Sequence, residues 1–151
     1  MSTTAPTTHT PEALDEQLAY LKLPFMLEQY TALAKQAAQE HWDHVAYLAR
    51  LVAGEAALRR ERSVQRRIRQ ARFPVIKTLE QFQWNWPKTI NRLQVQHLFR
   101  LQFLADNGNV IFLGTVGLGK THLATALGYA ACLQGVSVRF TTCQWTPEVS
   151  P

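Results

Sequence analysis

The sequence predicts an α/β protein in which a helical N-terminal region precedes one strand–loop–helix–strand unit. Three observations support this fold class. Apolar residues recur every three or four positions through most of the first half, as they do on one face of a helix. A glycine-rich loop lies between a short apolar run and an alanine-rich helical pattern. After that pattern, residues 136–142 (VSVRFTT) alternate apolar and polar residues, which is typical of a strand.

The composition is that of a folded domain without a membrane segment. The chain has 151 residues, of which 46% are apolar and 18% charged. No apolar stretch approaches the roughly 20 residues that a membrane helix needs. The N-terminus lacks the basic and apolar regions of a secretory signal, so the cytoplasm is the expected compartment and residues 1–10 the expected flexible tail.

Three helical patterns are predicted in residues 11–72. Thr10 can cap a helix that starts at Pro11, because proline is tolerated in the first turn. Pro24 interrupts this helix or begins the next one. The third pattern continues past Gly54 into an arginine-rich segment, and it ends before Phe73-Pro74 because a residue that precedes proline disfavours helix.

The rest of the chain divides into a connector, a mixed segment and a tail. Residues 73–89 are aromatic-rich and irregular, and residues 90–142 contain a helical pattern over 90–105. VIFL (110–113) is typical of a buried parallel strand, and a helix is predicted over 120–133. The tail, 143–151, has no periodicity.

The glycine-rich loop predicts a nucleotide site. Residues 114–121 (GTVGLGKT) match the phosphate-loop pattern G-x-x-x-x-G-K-[ST]. Glycines allow successive N–H groups to surround a phosphate, and the next helix directs its positive end there. Lysine would bridge the β- and γ-phosphates, and threonine would bind Mg²⁺. The predicted ATP-binding residues are Gly114, Thr115, Val116, Gly117, Leu118, Gly119, Lys120, Thr121 and His122, with Thr121 as the metal ligand.

The positive charge is concentrated in one segment. Residues 59–72 (RRERSVQRRIRQAR) carry +6, whereas the whole chain carries +5. Such a segment suits a DNA backbone, because each phosphate contact releases counterions and makes binding depend on salt. The alternative is a solvated helix whose arginines pair with acidic residues elsewhere. The candidate DNA-binding residues are Arg59, Arg60, Arg62, Arg66, Arg67, Arg69 and Arg72.

Several separated motifs resemble the IstB-like ATPases, which assist bacterial insertion-sequence transposases, and the related DnaC-type helicase loaders. The similar stretches, which together span about residues 12–142, are LAYLKLPFMLEQY, RRERSVQRRIRQARFPVIKTLEQFQW and LQFLADNGNVIFLGTVGLGKTHLATALGYAA. The resemblance implies a helical region followed by an AAA+ domain. It also implies binding of ATP with Mg²⁺, ATP-dependent binding of DNA, self-assembly on DNA and contact with a transposase. The basic segment adds that the binding of DNA is nonspecific. A helicase-loader fragment is the alternative within this group.

The sequence departs from that family in ways that bear on activity. Phe25 stands where the family usually has glycine, and Thr115 and Val116 replace two prolines. After Thr121 the only acidic residue is Glu148, so the Walker B acid is missing, and so are the sensor and the arginine finger. We therefore expect a C-terminally truncated AAA+ unit that binds ATP but has lost hydrolysis, with no catalytic residue. A non-enzymatic fragment that binds DNA or transposase is the alternative.

Three aromatic residues in the connector have two interpretations. Phe82, Trp84 and Trp86 precede the phosphate loop in the chain. They either lie near the nucleotide base or attach the connector to the domain core.

Overall fold

The computed structural model describes residues 10–85 and 90–142. The described residues contain five helices, α1 (Pro11–Tyr20), α2 (Pro24–Gln39), α3 (His44–Ala71), α4 (Arg92–Leu98) and α5 (Lys120–Leu133), and a 3₁₀ turn (Gln102–Leu104). They belong to two compact units, Met1–Arg62 and Ser63–Pro151, and α3 continues across the boundary. The predictions for residues 1–9, Trp86 and 143–151 lie outside the described residues.

The helix starts in the first unit follow the local sequence signals. The Thr10 side chain accepts a hydrogen bond from the Ala13 N–H at 3.3 Å, so the predicted cap of α1 is confirmed. Pro24 occupies the first turn of α2. The Asp43 carboxylate accepts a hydrogen bond from the Ala46 N–H at 2.6 Å at the start of α3. Thr10 and Asp43 thus accept from N–H groups that a first turn leaves unpaired, whereas Pro24 has no N–H that would need an acceptor.

A carboxylate from α3 caps the start of α2. Leu23 precedes α2 and its apolar side chain cannot accept a hydrogen bond. Glu55 Oε2 takes that role instead, because it accepts from the N–H groups of Phe25 at 2.9 Å and Met26 at 3.3 Å. Glu55 is 4% exposed, so these bonds lie in the interior of the first unit.

The second unit packs around α5. Leu123 of α5 lies in one apolar cluster with Phe82 and Val95, and Leu127 lies in another with Leu101. Helix α5 has the predicted bounds, and Gly135 follows it with a φ of +92°. The helix predicted over 90–105 is shorter than expected. It ends at Leu98 because Leu101 takes a left-handed φ of +57°, which interrupts the helical hydrogen bonds.

The predicted α/β fold class is wrong. The described residues contain no strand, so the expected β–phosphate-loop–α–β unit is not formed. Val110 and Phe112 are half-buried whereas Ile111 and Leu113 are exposed, so VIFL keeps the alternation of a strand. Residues 136–142 also alternate. A strand, however, requires a neighbouring segment that forms a ladder of backbone hydrogen bonds with it, and no described segment forms such a ladder with either stretch.

No helix in the described ranges combines the length and the apolar character needed to cross a bilayer.

Candidate functional site

The phosphate-loop sequence forms a turn that leads directly into α5. Gly114, Gly117 and Gly119 have φ values of +152°, +86° and +81°, which residues with a Cβ rarely adopt. Gly119 is the N-cap of α5, and no side chain caps this helix with a hydrogen bond. The first-turn N–H groups of α5 and its positive dipole end therefore face the loop. This geometry is suited to an anion.

Lys120 lies at the first position of α5 and turns back over the loop. Its Nζ donates a hydrogen bond to the Thr115 carbonyl at 2.6 Å. The ammonium group is thus held among the loop residues, where a phosphate would also lie. A phosphate that entered the loop would compete for this donor. Thr121 follows and is exposed, so its hydroxyl is open to solvent.

The connector packs against the loop through His122 and Phe82. A ring nitrogen of His122, Nε2, lies 2.9 Å from the Thr78 carbonyl, and the ring meets Phe82 edge-on at 5.4 Å. Phe82 is 6% exposed and packs so closely on Gly119 that a Cβ there would lie 2.6 Å from the Phe82 ring. Phe82 therefore attaches the connector to the core, as one of the two sequence interpretations proposed.

Two clefts flank the loop. One, of about 410 Å³, is lined by connector residues, and the other, of about 470 Å³, is lined by residues of α4 and of the VIFL stretch. Both volumes fall within the range of roughly 300–1,000 Å³ common for ligand sites. The connector-side cleft is lined by Ile76, Lys77, Gln81, Phe82, Gln83, Gly117, Leu118, Gly119 and His122. The sequence did not single out Thr78 or Lys77, because only the fold brings them to the loop.

The arginines of segment 59–72 do not share one environment. Arg59 donates to the Lys22 carbonyl at 3.2 Å and forms an ion pair with Glu55 Oε1 at 3.5 Å, so it belongs to the cap of α2. Arg60 and Arg62 are exposed on α3. Arg67 is half-buried near Cys132. Burial raises the pKa of the Cys132 thiol, and the positive charge of Arg67 opposes that effect.

Three other arginines of the segment lie together. Arg66, Arg69 and Arg72 line an open cleft, and Arg139 from the segment after α5 lines it too. Sequence reasoning missed Arg139, because a single arginine in an alternating segment carries no local signal of such a neighbour.

Among the described residues, no group of three or more histidine, cysteine or acidic side chains is placed to hold a metal ion.

Comparison with known proteins identifies relatives along most of the chain. The family described as "IstB-like ATP binding protein" matches residues 16–145. The "Insertion sequence IS21 putative ATP-binding protein" of Pseudomonas aeruginosa is 38% identical over 127 residues, which are 84% of this chain and 48% of the relative.

Two further relatives give the same picture. The "Insertion sequence IS5376 putative ATP-binding protein" of Geobacillus stearothermophilus is 31% identical over 131 residues, 87% of this chain and 52% of the relative. The "Insertion sequence IS232 putative ATP-binding protein" of Bacillus thuringiensis subsp. berliner is 30% identical over 132 residues, 87% of this chain and 53% of the relative. The chain thus spans about half the length of the curated relatives it matches.

Proposed function

The chain belongs to the family of IstB-like ATP binding proteins, and from this premise we propose that it binds Mg·ATP and DNA as an accessory protein of insertion-sequence transposition. The observation that carries the nucleotide part is the loop before α5. Three glycines with positive φ, a helix start without a side-chain cap and the Lys120 ammonium converge there. The residues fit a chain of phosphates, since each of these features favours negative charge.

Each residue of the site has a proposed role. The N–H groups of residues 114–122 would surround the phosphates, and Lys120 would exchange the Thr115 carbonyl for phosphate oxygens. The Thr121 hydroxyl would hold Mg²⁺, which would neutralise part of the phosphate charge. His122 contributes its backbone N–H, because its ring is engaged with Thr78 and Phe82. The ring thereby positions the connector beside the nucleotide.

We propose that residues 1–151 by themselves bind ATP and do not supply the carboxylate that hydrolysis needs. Hydrolysis in this class needs a carboxylate that organises Mg²⁺ and water. The sequence after Thr121 has one carboxylate, Glu148, in a stretch without periodicity. The remaining partners that we propose are a transposase, a second copy of the chain and duplex DNA, the last bound through the arginines of segment 59–72.

Equilibrium binding of a fluorescent ATP analogue to the purified chain tests the nucleotide site. We expect Mg²⁺-dependent binding that weakens by roughly 10- to 100-fold in Lys120→Ala, because a charge-assisted hydrogen bond contributes about 1.5–3 kcal/mol. Lys35→Ala is the matched control, since Lys35 is an exposed lysine of α2. Circular dichroism checks folding, and phosphate release should stay at the level of a protein-free sample.

The alternative is a module that binds DNA or transposase without nucleotide. The hydrogen bond from Lys120 to Thr115 favours it, because the ammonium already has an acceptor within the loop. DNA binding together with ATP affinity that is undetectable in both the wild type and Lys120→Ala would establish this alternative. Binding to a replicative helicase and not to a transposase would identify a helicase-loader fragment.

A further inference from the structure

We propose that Arg139 and three arginines of α3 form one cleft that binds the phosphate backbone of duplex DNA, with Arg66, Arg69, Arg72 and Arg139 as the contacts. This inference rests on the DNA-binding part of the proposed function and assigns it to a site. The cleft lies within the Ser63–Pro151 unit, measures about 680 Å³ and is also lined by Gln70 and Val138. We call it the arginine cleft.

The fold fixes the position of each arginine by ordinary backbone contacts. Arg66 and Arg69 are three residues apart on α3, so they lie on the same face one turn from each other. Helix α3 ends at Ala71, and the positive φ of Arg72 (+56°) turns the chain away from the helix axis. The three side chains therefore surround the C-terminal end of α3.

Arg139 reaches the same place from a distant part of the sequence. The Phe140 N–H donates to the Ala71 carbonyl at 2.8 Å, which ties the segment after α5 to the end of α3. The Phe140 ring meets Phe73 at 6.3 Å in an edge-to-face arrangement. These two contacts hold the residue before Phe140, which is Arg139, beside the arginines of α3.

The charge of the cleft is unbalanced within the described part of the chain. No carboxylate lines the cleft, and the one ion pair found among the described residues joins Arg59 to Glu55, outside it. A guanidinium stays protonated at any physiological pH, so all four charges are present together. Repulsion among them is relieved when an anion binds, and the partial negative charge at the C-terminal end of α3 offsets only part of it.

The chemistry of the lining favours a duplex backbone over other anionic partners. Protein interfaces rely on buried aromatic or apolar anchors, whereas Val138 is the one apolar residue that lines this cleft. Nonspecific binding of single strands uses aromatic side chains on which bases stack, and no described aromatic residue lines the cleft. Guanidinium groups without anchors or stacking surfaces are the contacts that phosphate oxygens need.

The salt dependence of duplex binding to the full chain tests the arginine cleft. Each lost phosphate contact should reduce the magnitude of the slope of log K against log [salt] by about 0.9. We expect Arg139→Gln to reduce it by about one, with a ~5- to 10-fold loss of affinity at 0.1 M salt. Arg66→Gln/Arg69→Gln/Arg139→Gln should reduce the slope by about three. Arg100→Gln, an exposed arginine of the same unit outside the cleft, is the matched control.

The outcomes separate this inference from the proposed function. If Arg139→Gln binds duplex with the wild-type slope while Arg60→Gln has a reduced slope, the arginine cleft is not the DNA site. DNA binding would then be assigned to another part of α3. If the wild type does not bind duplex, both the cleft and the DNA part of the proposed function fail, whereas ATP binding is decided by Lys120. Tighter binding of a single strand of equal length, with the same dependence on Arg139, would overturn the duplex assignment. Circular dichroism confirms that each variant is folded.

Discussion

At the scale of single residues, the phosphate loop depends on two glycines for different reasons. Gly117 and Gly119 both have positive φ, but a Cβ on Gly117 would meet open space, whereas one on Gly119 would meet the Phe82 ring at 2.6 Å. The sequence motif assigns both glycines the same role. In the fold Gly119 has a second role, because the absence of a Cβ leaves space for the Phe82 ring of the connector.

Alanine substitutions should separate these two roles. Gly117→Ala should lower the free energy of unfolding by about 1–2 kcal/mol, the cost of a left-handed backbone at a residue with a Cβ. Gly119→Ala should lower it further, because the buried Phe82 ring must also move. Chemical denaturation followed by tryptophan fluorescence measures the difference. Equal losses in the two variants would show that Phe82 does not pack on Gly119.

The structural role of Glu55 could not be predicted from the sequence. Glu55 lies in α3, and an acidic residue in a helical pattern is normally predicted to face solvent. In the fold it is buried and accepts two N–H groups at the start of α2, and its other oxygen, Oε1, forms no hydrogen bond among the described residues. A buried carboxylate in this position joins the start of α2 to a residue 30 positions later in the next helix.

Removal of the Glu55 carboxylate should destabilise the first unit. Glu55→Ala leaves the Phe25 and Met26 N–H groups without their acceptor, and we expect a loss of about 1–3 kcal/mol in the free energy of unfolding. Glu55→Gln keeps one acceptor oxygen and should lose less. Glu61→Ala, at an exposed position of the same helix, should stay within about 0.5 kcal/mol of the wild type. Similar losses for Glu55→Ala and Glu61→Ala would contradict the proposed cap.

At the scale of secondary-structure elements, α2 and α3 meet where a large side chain faces a glycine. The Phe25 ring lies over Gly54 and leaves no space for a Cβ. Glycine in the middle of α3 costs about 1 kcal/mol of helix stability relative to alanine. The packing of Phe25 explains why glycine stands there.

The contact between Phe25 and Gly54 predicts that Gly54→Ala destabilises the wild type but stabilises the Phe25→Ala variant. Gly54→Ala in the wild type should lower the free energy of unfolding by about 1–3 kcal/mol, because the added methyl group overlaps the Phe25 ring. In the Phe25→Ala background the same substitution should raise it by about 1 kcal/mol, because only helix propensity remains. A double-mutant cycle by urea denaturation measures both values. Effects of the same sign in the two backgrounds would show that these residues do not interact.

The helices could be predicted from sequence far better than the extended segments. Thr10, Pro24 and the Gln134-Gly135 pair act on the adjacent helix end, so their signals are local and the structure confirms them. A strand depends on a partner elsewhere in the chain, and the alternation in residues 136–142 shows which side chains turn inward but not whether a partner exists. The same reason explains why Arg139 could not be assigned to the arginine cleft from sequence.

At the scale of the whole molecule, one arginine of the basic segment stabilises the fold, and others are the proposed DNA contacts. Arg59 belongs to the cap of α2, whereas Arg66, Arg69 and Arg72 face a cleft with Arg139. Charge counting along the sequence treats these arginines as one group. The number of arginines in the segment that we propose as DNA contacts is therefore smaller than the sequence count, and one proposed contact, Arg139, comes from outside the segment.

The alternating residues 110–113, before the loop, predict that the chain associates with itself in solution. Ile111 and Leu113 are 77% and 88% exposed, and their backbone is not paired with any described segment. Apolar side chains beside an unpaired extended backbone favour association with other chains. We expect Ile111→Thr/Leu113→Ser to reduce concentration-dependent association, measured by light scattering, and to change the free energy of unfolding by less than about 0.5 kcal/mol.

Phe112 between them provides the matched control. It packs against both apolar clusters of the second unit, so Phe112→Ser should lower the free energy of unfolding by roughly 2 kcal/mol or more. Phe112→Ser should not reduce concentration-dependent association, because Ile111 and Leu113 remain exposed and unfolding exposes more apolar surface. If Ile111→Thr/Leu113→Ser destabilises the chain as much as Phe112→Ser does, the outward side chains must be buried in solution. The stretch would then be covered by a second copy of the chain, and the loss would shrink on dilution, because the wild-type assembly would dissociate.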